Sequence, residues 1–102
     1  MNSIDYLYPK NRVLDFSNCK YLGEVHKIIK DELELPDFYG ENLDALWDSV
    51  TGIMYVPANI KIIFKPETKP SADLANAVEE IISVFKEAEE EYGQIKVTAE
   101  RK

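Results

Sequence analysis

A chain of 102 residues, 45% hydrophobic and 30% charged, suits one domain around one core. Its formal net charge of −7, from 19 acids and 12 bases, disfavours direct binding of RNA or DNA and serves either solubility alone or the attraction of basic partners. Cys19 is the single cysteine and His26 the single histidine, which rules out an internal disulfide and leaves the usual structural zinc site short of ligands.

Residues 1–11 read as an irregular extension of a single domain spanning residues 1–102. The start lacks the charge and apolar stretch of a secretory signal, and no apolar run approaches the roughly 20 residues of a membrane span. The expected compartment is the cytoplasm, with no membrane partner. Arg12–Phe16 is short, apolar and bounded by polar residues, which predicts a strand. Leu22, Val25, Ile29 and Leu33 recur on one helical face, and Pro36 is expected to end that helix. His26 shares that face and is expected to be a half-buried, hydrogen-bonded packing residue.

Phe38 and Tyr39 follow in a turn-rich segment and could serve a core or an interface. Asn42 is a good N-cap for a short helix whose apolar stripe is Leu43, Leu46, Trp47 and Val50. Gly52 marks the end, where a left-handed residue is common. Ile60–Phe64 predicts a buried strand, and Pro66–Pro70 a stiff connector. Leu74, Val78, Ile81, Ile82, Phe85 and Ala88 give the clearest helical stripe, closed by Gly93. Ile95–Ala99 predicts the last strand, with Arg101 and Lys102 frayed. Strands separated by helices imply an α/β fold: a small three-stranded parallel sheet with packed helices.

No motif for nucleophilic catalysis or phosphate cradling is present, so no enzyme is expected. The informative feature is the short helix. Glu41, Asp44 and Asp48 cluster away from its apolar stripe. Asp44 benefits from the helix dipole in the first turn, but Asp48 lies beyond it and repels Asp44 at i, i+4. A solvated acidic face is one explanation. The other is a carboxylate cluster that meets arginines or a metal. Glu79, Glu80, Glu87 and Glu90 look individually like solvated charges on the long helix.

The 18 contiguous residues from Leu35 to Gly52, LPDFYGENLDALWDSVTG, closely resemble the signature of the barstar family. A weaker resemblance runs from Val13 through the Leu22–Leu33 helix, with His26 in register, and again through Phe85-Lys86-Glu87-Ala88 and the last strand. The resemblance implies a three-stranded parallel sheet and an inhibitor that plugs the active site of a basic barnase-type ribonuclease. It carries binding roles onto Asn42, Asp44, Trp47, Asp48 and Gly52 by identity, and onto Glu87 through the FKEA segment. Asp48 would stand where the enzyme holds phosphate. Phe38 replaces a tyrosine common in the family, and Ile53 an aromatic at the rim. These departures leave open an immunity protein directed at another secreted nuclease toxin. A metal-assisted hydrolase using Glu41, Asp44 and Asp48 would need further ligands and a nucleophile. No cofactor or metal is expected, and the free chain is expected to be a monomer.

Overall fold

Every second residue of the segment Ala58–Phe64 is buried, and Ile60, Ile62 and Phe64 point into the core at 3% exposure or less. The computed structural model describes residues 9–65 and 72–102. Along the chain they form β1 (Lys10–Asp15), α1 (Leu22–Glu32), α2 (Leu43–Gly52), β2 (Ala58–Phe64), α3 (Ala72–Tyr92) and β3 (Ile95–Arg101). The strands make one parallel sheet in the order β1-β2-β3. Both crossovers run the same way across the sheet, so right-handed connections place the helices on one face. Burial agrees: Leu14, Ile60, Ile62, Ile95 and Val97 are enclosed, while Val13, Lys61, Lys96 and Thr98 on the other face are exposed. The expected α/β architecture is therefore present. Among the described residues, no helix is long and apolar enough to cross a membrane.

Several boundaries differ from the sequence expectation. Lys10 and Asn11, assigned to the extension, open β1 and pair with Ala58 and Asn59. Their polarity suits an edge strand, where one side faces water. The strand ends at Asp15, with Phe16 donating its N–H to the Ile63 carbonyl at 2.7 Å. Strand β2 starts two residues before the apolar run, because Ala58 pairs with β1 on one side and β3 on the other. Arg101 is not frayed: it pairs with Phe64 and binds Glu79 through two hydrogen bonds of 2.9 and 2.7 Å. Glu79 is therefore an ion-pair partner rather than an isolated solvated charge. The Pro66–Pro70 connector and the first eight residues lie outside the described residues.

Helix α3 also protects the outer edge of β3. Glu89 accepts the Val97 N–H at 2.9 Å, and Lys86 donates to the Val97 carbonyl at 2.9 Å. Edge groups satisfied in this way are unavailable to another strand. Gly93 follows α3 at φ +64°, the left-handed conformation that glycine adopts without a side-chain penalty.

Candidate functional site

Helix α2 is anchored on one side and bare on the other. Leu46 and Val50 are buried in the core, with Ser49 between them in register. Asn42 caps the helix as expected: its side-chain oxygen accepts the Ala45 N–H at 2.8 Å, and its amide donates to the Gly40 carbonyl at 3.2 Å. Gly40 suits a tight approach, since a Cβ there would come within 3.3 Å of the Ala45 Cβ and press on it. The far end differs from expectation. Gly52 is the last helical residue and is not left-handed, because the Ile53 and Met54 N–H groups both return to the Ser49 carbonyl in a right-handed turn.

The loop leading into α2 is shaped by two left-handed residues that are not glycine. Glu34, at φ +54°, sits just past the cap of α1. Its N–H bonds the Asp31 carbonyl and the Leu35 N–H bonds the Lys30 carbonyl, the pair of bonds that closes a Schellman turn. Glu41, at φ +52°, stands directly before the Asn42 cap. Ion pairs tie this loop down: Arg12 to Glu34 at 2.6 Å and Lys30 to Asp37 at 3.1 Å.

Within the loop the adjacent aromatics separate. Tyr39 is buried at 7% exposure, whereas Phe38 is 78% exposed. The Tyr39 hydroxyl lies 2.7 Å from His26 Nδ1, so the buried histidine of α1 fixes which ring turns inward. Burial holds His26 below its ordinary pKa, against a smaller opposing pull from Glu41, and burial pushes the Tyr39 hydroxyl up. A folded-state pKa below the unfolded value means that the unfolded chain binds the extra proton first. The stabilisation is thus complete above the unfolded value of about 6.5 and is lost as pH falls from there toward the lower folded value. Melting temperature is expected to decline between pH 7.5 and 5.5. His26→Gln should flatten that decline, and a decline of unchanged slope in the variant would assign it to other groups.

Charge is concentrated on this part of the molecule. From Asp31 to Ile60 the sequence holds seven acidic residues and no lysine or arginine, so the stretch alone accounts for the net charge of −7. Asp31, Glu34 and Asp37 are engaged with Lys27, Arg12 and Lys30. Glu41, Asp44 and Asp48 form no ion pair among the described residues, and all three are exposed. Fixed like charges on a rigid helix create a local field that attracts a cationic partner.

Helix α3 lies alongside α2, and the Trp47 and Tyr92 rings meet across the seam with centroids 6.1 Å apart. Glu80 borders a groove with Glu41, Asn42 and Leu43, so the edge of α3 that carries Glu80 faces the start of α2. Glu87 and Glu91, seven and eleven residues further, fall on that same edge. Glu87 is exposed. Phe38 and Ile53, the latter 46% exposed, flank α2 at its two ends, with Asp44 and Asp48 between them. Trp47 is half-buried, and Gly52 is exposed. Phe38, Asn42, Asp44, Trp47, Asp48, Gly52, Ile53 and Glu87 are thus all at least partly accessible, whereas Tyr39 belongs to the core.

Two features escaped the sequence. The first is Tyr92, whose place beside Trp47 depends on how two helices pack. The second is the asymmetry of charge along the chain, which counting acids and bases by segment reveals. For catalysis the site offers little. Burial, with lesser contributions from Glu24 and Asp15, pushes the Cys19 thiol up, the opposite of an activated nucleophile. Among the described residues, no three His, Cys, Asp or Glu side chains come together in a way that could hold a metal ion.

Comparison with known proteins adds two findings. A family model described as "Barstar (barnase inhibitor)" matches residues 10–100. The chain is also similar to "Putative ribonuclease inhibitor YrdF" of Bacillus subtilis (strain 168), with 38% identity over 77 residues, covering 76% of this chain and 79% of that protein.

Proposed function

The chain belongs to the barstar family, and on that premise we propose that it is a non-enzymatic inhibitor that closes the active site of a basic barnase-type ribonuclease with α2. One observation carries this reading. The whole net negative charge sits in a stretch whose exposed acids Glu41, Asp44 and Asp48 form no ion pair among the described residues, on a helix anchored by Leu46 and Val50. A ribonuclease pocket holds phosphate with cationic and N–H donors. A carboxylate placed like that phosphate meets the same donors in charge-assisted bonds. Asp48 takes this central role, past the first turn of α2, where helix stability gives no reason for it. Asp44 and Glu87 meet flanking basic groups. Asn42, Trp47 and Gly52 complete the contact surface.

Such a protein guards the cytoplasm of the cell that makes the toxin, acts as a monomer when free, and requires no cofactor. Titrating barnase with the chain tests the reading: RNA cleavage should fall linearly to zero at one equivalent. Association should slow as salt is added, because opposite charges steer the encounter. Undiminished cleavage by barnase and by other basic toxin ribonucleases at micromolar chain would sink it.

The two flanks set partner choice. Charged centres recognise what ribonuclease pockets share, while flanking contacts discriminate among enzymes. Phe38→Tyr and Ile53→Trp should therefore tighten binding to barnase and leave a cognate toxin unimproved. For Phe38→Tyr the gain is about 0.5–1.5 kcal/mol if the hydroxyl finds a partner. Equal tightening toward both enzymes, read by titration calorimetry, would show that these positions tune strength alone.

A further inference from the structure

At the C-terminal end of the seam between α2 and α3 lies an open cavity of 160 Å³, walled by Val50, Val56, Ala88, Tyr92 and Ile95 together with the polar Thr51 and Gln94. A space of about 150 Å³ is large enough for a benzene-sized group, so the apolar side of this one has room for the stem of a long side chain. Tyr92, the last residue of α3, is 55% exposed and makes no hydrogen bond through its hydroxyl among the described residues. Its ring leans on Trp47 at 54°. Burial of apolar area does not explain a ring held so far out in water. The neighbours in sequence are acidic, with Asp48 after Trp47 and Glu90 and Glu91 before Tyr92. Helix α2 carries no base, and Lys86 of α3 is turned to the Val97 carbonyl.

We infer that the Trp47–Tyr92 pair and the cavity beside it receive an arginine or lysine side chain from the rim of the ribonuclease active site, with Tyr92 helping to set which enzyme is held most tightly. The inference rests on the proposed inhibitor function, since the cavity is continuous with α2. The match is chemical. The methylenes of a long cationic side chain lie against Val50, Ala88 and Ile95, while its head rests over the aromatic faces in the field of the acids. A neutral apolar side chain would fill the same walls but leave both the ring faces and the surrounding negative charge unused.

Three substitutions separate these possibilities: Tyr92→Phe keeps the ring, Tyr92→Leu keeps apolar area without a π face, and Tyr92→Ala removes both. Dissociation constants are measured against barnase, or against the basic toxin ribonuclease the wild type inhibits most tightly, with melting temperatures alongside. Tyr92→Phe should bind like the wild type. Tyr92→Leu and Tyr92→Ala should each bind roughly 3- to 30-fold more weakly, the range of a cation over an aromatic face, and Tyr92→Leu should melt with the wild type. Wild-type affinity in Tyr92→Leu overturns the cationic occupant, and wild-type affinity in Tyr92→Ala overturns any occupant. If either occurs while Asp48→Ala still loses binding, the inference falls and the inhibitor function stands. If the wild type inhibits no basic ribonuclease, both fall.

Discussion

Asp48→Ala is expected to weaken the complex with the ribonuclease by about 2–5 kcal/mol while the free chain stays folded, a general range for truncated interfacial charge pairs to which barnase and its own inhibitor contributed. The size follows from where the loss occurs. In the free chain Asp48 is exposed and has no ion-pair partner among the described residues, so its removal breaks nothing in the fold. It also relieves the like-charge contact with Asp44 four residues earlier. In the complex, however, the carboxylate occupies the most desolvated part of the enzyme pocket, and truncation strands the cationic donors gathered for phosphate. Glu87→Ala removes a charge at the edge of α3, where solvent screens it, and should cost far less. Calorimetric titration of both variants with their melting curves reads the contrast. Equal losses in the two would remove the phosphate-mimic role from Asp48, and a collapse in the melting temperature of Asp48→Ala would mark it as structural.

The second large effect has the opposite signature. Phe85 is fully buried in α3, the largest side chain at the centre of the core. Phe85→Ala removes a ring enclosed in the core and leaves a cavity, at a cost of about 3–5 kcal/mol. Domains of this size hold only about 5–15 kcal/mol in total, and each kcal/mol moves the melting temperature by roughly 4–8 °C. The variant should melt well over 10 °C lower. Any loss of inhibition should scale with the unfolded fraction and recover on cooling toward the temperature of maximum stability. A small shift in melting temperature would show that the core repacks around the gap. Asp48→Ala and Phe85→Ala thus separate a surface that acts from a scaffold that holds it.

The elements with regular periodicity were legible from residue order. The stripe from Leu74 to Ala88 became α3, and Ile60–Phe64 lies within β2, because burial on one face leaves a repeating apolar pattern. Edges were harder. Lys10, Asn11 and Arg101 are exposed residues at the ends of the two edge strands, so polarity carried no warning that they pair. The loop before α2 was hardest. Its two left-handed positions hold Glu34 and Glu41, where glycine would have signalled the turn. The opposite fates of Phe38 and Tyr39 are decided by His26, 13 residues upstream of Tyr39, a long-range contact that no local pattern records. For the site, helical spacing alone isolated Asp44 and Asp48 from the apolar stripe, and family resemblance added Glu87 from a different helix. Tyr92 was invisible because its role depends on the seam between α2 and α3.

The central claim is that α2 occupies the ribonuclease active site with a carboxylate in place of phosphate. Competition tests it most directly. Barnase is saturated with a nucleoside monophosphate, and binding of the chain is then followed at increasing nucleotide. The account predicts that the apparent dissociation constant of the chain rises in proportion to nucleotide concentration, with no ternary complex formed. An affinity unchanged by a filled active site would contradict it.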